Sequence, residues 1–75
     1  MPRLPVLAAR EILTALRKAG FEVVSQRGSH VKMRRVVGPE ARTAIIPNYD
    51  EVPRGVLASI LRQAGLRREE SLALL

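Results

Sequence analysis

The chain has 75 residues, 47% of them hydrophobic and 27% charged, a globular composition that predicts one small domain spanning residues 1–75. It has no cysteine and one histidine, which excludes disulfide scaffolds, thiol nucleophiles, thiolate zinc sites and multi-histidine metal sites. Thirteen basic residues against seven acidic ones give a net charge of +6, and all of that surplus falls in residues 1–35.

Residues 1–7 carry two prolines and read as an extended lead-in. From Ala8 the pattern turns helical. Ala9, Ile12, Leu13, Leu16 and Ala19 keep the spacing of one buried helix face, and Gly20 marks a left-handed stop after Lys18. Ala8 is no side-chain cap, so fraying is expected at the first turn.

Phe21 to Arg27 is β-rich, with Phe21 and Val23 alternating with Glu22, although Val24 breaks the alternation. Gly28-Ser29 reads as a tight turn. His30 to Arg35 alternates cleanly: Val31 and Met33 point one way, and His30, Lys32 and Arg34 point the other. Val36 and Val37 extend this strand or begin the next loop. Gly38-Pro39-Glu40 breaks the chain, and Arg42 to Ile46 forms a third strand ending at Pro47.

After a polar connector, a second helix begins near Pro53. Val56, Leu57, Ile60, Leu61 and Ala64 form its stripe, and Gly65 ends it. Arg68 to Leu75 has the composition of a short third helix. The order is α-β-β-β-α: an α+β fold with a three-stranded antiparallel meander and two helices on one face. Val31 and Met33 then face the helices, while His30, Lys32 and Arg34 line an open sheet face.

A localised basic surface favours polyanions, nucleic acid first and anionic membrane second. The membrane reading is weak, because the first helix has no Trp or Phe anchor and no apolar run is long enough to span a bilayer. The chain is expected to be soluble and cytoplasmic. Arg outnumbers Lys 11 to 2, which suits bidentate phosphate contacts, although a G+C-rich genome produces the same bias.

His30 among these cations has a chemical use. Imidazole titrates near neutral pH and can take the proton from a ribose 2′-hydroxyl as that oxygen attacks the adjacent phosphorus. Arg27, Lys32 and Arg34 can hold the phosphate. This chemistry needs no metal and no cofactor. The leaving oxygen needs a proton, for which Tyr49, Lys32 and water are all candidates. The plain alternative is a histidine that is only a surface residue.

Three segments resemble the HicA family of bacterial toxins, also called YcfA-like proteins. They are Ala15-Leu16-Arg17-Lys18-Ala19-Gly20-Phe21-Glu22, Gln26-Arg27-Gly28-Ser29-His30, and Gly55 to Leu66 (GVLASILRQAGL). The likeness covers nearly the whole chain. It implies a fold like that of double-stranded-RNA-binding domains and an mRNA interferase, a small endoribonuclease that arrests translation. It also implies a HicB-type antitoxin that covers the histidine. Carried over to this sequence, the catalytic histidine is His30, with Arg27, Gly28, Ser29, Lys32 and Arg34 as RNA-binding neighbours. Tyr49 stands where many relatives carry a histidine, which makes it a possible auxiliary residue. Val56 replaces a common threonine, and Ala8 a serine-like cap. The competing class is an RNA-binding module of the same fold without turnover.

Overall fold

The computed structural model describes residues 4–75, so Arg3 and the start of the lead-in lie outside the described residues. The elements are α1 (Ala9–Lys18), β1 (Glu22–Arg27), β2 (His30–Val37), β3 (Glu40–Pro47), α2 (Arg54–Ala64) and α3 (Arg68–Leu74). The strands form one antiparallel sheet in the order β1-β2-β3, so β2 is central. The helix-strand order and the meander match the sequence expectation. β2 runs through Val37, and β3 starts at Glu40, two residues before the expected Arg42.

Both long helices end alike. The Phe21 N–H donates to the Leu16 carbonyl at 2.9 Å and the Gly20 N–H to the Arg17 carbonyl at 3.0 Å. At α2 the corresponding bonds are Leu66 to Leu61, 3.0 Å, and Gly65 to Arg62, 3.1 Å. This is the Schellman pattern, which satisfies carbonyls that a helix end leaves free. In α1 it also turns Phe21 back under the helix, where the ring is 2% exposed.

The start of α1 is held, contrary to the fraying expected from Ala8. The Glu11 carboxylate accepts the Ala8 N–H at 3.0 Å, and the Tyr49 carbonyl accepts the Ala9 N–H at 2.9 Å. The lead-in is also more than a leader. Leu4 is buried, Leu7 pairs with Val52, and Arg54 Nε donates to the Leu4 carbonyl at 2.7 Å.

The core gathers Ile12 and Leu16 of α1, Val31 and Met33 of β2, Ala44 and Ile46 of β3, and Leu57, Ile60 and Leu61 of α2. Ala15 joins the buried face of α1, while Leu13 and Ala19 are half-buried. Val56, expected in the stripe of α2, is exposed. α3 packs on α1 and its Leu72 borders the core. The Arg67 amide and guanidinium both donate to the Glu70 carboxylate, holding its pKa below the ordinary value. This contact therefore supports the start of α3 above the ordinary carboxylate range and weakens as pH falls. No helix among the described residues is long and apolar enough to cross a membrane.

β1 buries none of its residues, although Val23 alternates with Glu22 in the sequence. All six of its residues are exposed, with Val23 at 42% and Val24 at 52%. The helices pack over β3 and the inner face of β2 and leave the outer strand uncovered. The break in alternation at Val24 is a β-bulge, because the ladder passes from Val23↔Met33 to Ser25↔Lys32.

Met33 is fully buried, so Met33→Ala is expected to cost about 2–5 kcal/mol in urea unfolding. Val24→Ala, on the uncovered strand, is expected to stay within about 0.5 kcal/mol. Equal losses at the two sites would contradict this account of the core.

Candidate functional site

The site begins at the β1–β2 turn. Arg27 and His30 face each other across the ladder and leave Gly28-Ser29 as a two-residue loop. Gly28 has φ of +55°, and no non-glycine residue among those described has positive φ. That sign pattern is the one a type II′ turn requires, with glycine first, and such turns match the twist of the flanking strands. The turn starts β2 at His30 and so decides which face the imidazole occupies.

The face follows from the pleat. Val31 and Met33 are buried, and His30, Lys32 and Arg34 are exposed. Residues directly opposite in adjacent strands share a face. His30 therefore lies between Arg27 and Pro47, Lys32 between Ser25 and Ile45, and Arg34 between Glu22 and Thr43. Four of the expected site residues, Arg27, His30, Lys32 and Arg34, share one open surface, with Gly28 and Ser29 in the turn at its end. All six are exposed.

Among the described residues the one ion pair within 4.0 Å is Arg67–Glu70, far along the chain from this face. None of Arg27, Lys32 and Arg34 forms an ion pair within 4.0 Å among the described residues; Glu22 stands opposite Arg34 in the ladder, while Arg27 and Lys32 have no carboxylate as cross-strand partner. The other basic residues of the first half divide differently. Arg10, Arg17 and Lys18 are exposed on α1. Arg35 is committed internally: its Nη1 donates to the Ala19 carbonyl at 2.9 Å, and its guanidinium lies 5.1 Å from the Phe21 ring centroid. Charge counting places Arg35 in the basic surplus and misses this staple between β2 and the end of α1.

The β3–α2 connector is stitched to the turn. The Asn48 N–H donates to the Ser29 carbonyl, and the Tyr49 N–H donates back to the Pro47 carbonyl at 2.9 Å. The Tyr49 carbonyl takes the Ala9 N–H, so one short segment ties the turn before His30 to the first turn of α1. The Tyr49 side chain is exposed. Asn48 carries no sequence signal that predicts this role. Among the described residues no three His, Cys, Asp or Glu side chains are grouped as metal ligands would be.

A small α+β domain thus presents an exposed histidine at the head of a basic sheet face. The sequence profile of the family described as "HicA toxin of bacterial toxin-antitoxin" matches residues 9–66, from the start of α1 to just past the cap of α2. The chain belongs to the HicA toxin family, and membership implies a role as the toxin of a toxin–antitoxin system, with an antitoxin partner. No curated protein matches the sequence. α3 lies outside the matched segment.

Gly28 sits in a backbone region that costs an L-residue about 1–2 kcal/mol. Gly28→Ala is expected to lose about that much stability in urea unfolding, although a Cβ there meets nothing within 4 Å. An unchanged midpoint would show that positive φ is not required at this turn.

Proposed function

We propose that this toxin is a metal-independent endoribonuclease, an mRNA interferase of the cytoplasm, with His30 as the general acid/base. The observation that carries the reading is the shared open face: one imidazole between Arg27 and Pro47, with Lys32 and Arg34 on the same surface and none of these cations in an ion pair within 4.0 Å among the described residues. His30 takes the proton of a ribose 2′-hydroxyl. The 2′-oxygen then bonds to the adjacent phosphorus, and the bond from phosphorus to the 5′-oxygen of the next nucleotide breaks. The products are a 2′,3′-cyclic phosphate end and a 5′-hydroxyl end, the latter taking a proton from water, Lys32, Tyr49 or the imidazolium.

Arg27, Lys32 and Arg34 attract the phosphate and stabilise the charge that grows on its non-bridging oxygens. Gly28 and Ser29 hold the turn that presents the imidazole, and their exposed backbone lets a nucleotide approach closely. The family membership supports the toxin role, and the resemblance of the Gly28-Ser29-His30 string supports the assignment of His30 within it.

The test is cleavage of an RNA by purified protein, with and without EDTA, beside His30→Ala. The expected result is wild-type cleavage unaffected by EDTA, and at least about 100-fold loss in the variant with RNA binding retained. Binding without cleavage by the wild type would instead support a non-catalytic RNA-binding module of the same fold. Equal cleavage by both proteins would remove His30 from the chemistry.

The same face is proposed to dock a HicB-type antitoxin, so that His30 is covered and the cations meet acidic partner groups. Long-range attraction of this kind acts mainly on association rate and is screened by salt. Arg34→Glu is expected to slow association at low salt, with the difference shrinking as salt rises. A complex with His30 open to solvent would overturn this placement.

A further inference from the structure

The sequence holds one tyrosine, one phenylalanine and no tryptophan. Phe21 is 2% exposed beneath Arg35, whereas Tyr49 is 49% exposed. Apart from the His30 imidazole, Tyr49 is therefore the one aromatic surface this chain can offer a ligand. Its backbone is anchored beside the site. Pro47 is the cross-strand partner of His30, the Tyr49 N–H bonds to the Pro47 carbonyl, and the Asn48 N–H bonds to the carbonyl of Ser29, the residue before His30. The Ala9 N–H holds the Tyr49 carbonyl from the other side. With its backbone held by these bonds, only the two side-chain torsions of Tyr49 remain to be fixed on binding, so stacking there has a low entropic cost.

Aromatic side chains next to a basic strip are how proteins grip single-stranded nucleic acid: cations follow the phosphates and a ring stacks on an unpaired base. The cleavage chemistry requires the same state of the substrate. A stacked A-form helix keeps each 2′-hydroxyl away from the line of attack on its own phosphorus, so one nucleotide must leave the stack. Ile45, 37% exposed and opposite Lys32, adds apolar surface to the same face.

We propose that Tyr49 is the stacking platform for a base flanking the phosphate at His30, and that the substrate is taken as a single strand. The proposal rests on the ribonuclease reading above and assigns Tyr49 a binding role through its ring, not a catalytic role through its hydroxyl.

Because Tyr49 is the sole tyrosine and no tryptophan is present, the tyrosine emission of the protein reports on this position alone. The experiment uses the His30→Ala protein, which holds RNA uncut, and a short single-stranded oligoribonucleotide. Binding is expected to quench the emission, and a duplex of the same sequence to quench it much less. In the same background Tyr49→Ala is expected to weaken single-strand affinity about 10-fold or more, and Tyr49→Phe, which keeps the ring, to restore most of it. Binding without quenching, or an affinity unmoved by Tyr49→Ala, would overturn the stacking role and leave the ribonuclease reading standing. If Tyr49→Phe in the otherwise wild-type protein loses cleavage as fully as Tyr49→Ala, the hydroxyl matters and the platform is wrong. Absence of both binding and cleavage in the wild type would overturn the underlying ribonuclease reading.

Discussion

A pleated strand shows alternate side chains to opposite faces, and in β2 that puts Val31 and Met33 in the core and His30, Lys32 and Arg34 outside. A slip of one residue would bury two cations and a histidine and expose the valine and methionine, so the hydrophobic face and the charged face enforce a single register. The turn at Gly28-Ser29 sets that register at one end, and the long ladder from His30↔Pro47 to Val37↔Glu40 holds it along the strand. Core and site are two readings of the same periodicity. The helices complete it by covering only the apolar side.

The consequence for electrostatics is a division of labour among the arginines. Arg35 lies next to Arg34 in sequence but on the other side of the pleat, where it caps the Ala19 carbonyl and stacks on Phe21. Arg34 faces water with Lys32 and Arg27, opposite Glu22 in the ladder but in no ion pair within 4.0 Å among the described residues. Two adjacent residues of one type are thus divided, one committed to internal contacts and the other left facing solvent. A small domain has few residues to spare for its core, so using the aliphatic stem of Arg35 as packing against Gly20 adds buried contact without another apolar residue.

The β3–α2 connector links two parts of the molecule that are distant in sequence. Its backbone bonds reach Ser29 on one side and Ala9 on the other. The end of the sheet that bears His30 is therefore tied to the start of α1, and the exposed Tyr49 ring is carried on a segment with little backbone freedom. β3 is supported similarly at its outer edge, where the Gln63 side-chain carbonyl accepts the Ile45 N–H at 3.0 Å. β1 has no such support, is exposed on both faces and carries a bulge, a device that discourages edge-to-edge pairing.

The sequence by itself determined the element order, the stop of each long helix at a glycine, the turn at Gly28-Ser29 and the face on which His30, Lys32 and Arg34 stand. Those features are local: they depend on the period of the hydrophobic pattern and on the conformations glycine allows, both of which a linear reading captures. Only the tertiary structure decided that β1 stays uncovered, that Arg35 is withdrawn from the charged face, that the Tyr49 carbonyl helps hold the start of α1, and that Tyr49 is anchored beside His30. Each of these turns on where the helices lie across the sheet or on a bond between segments far apart in the chain. Backbone carbonyls and packing angles leave no residue-specific mark in the sequence, so those features become legible only once the chain has closed on itself.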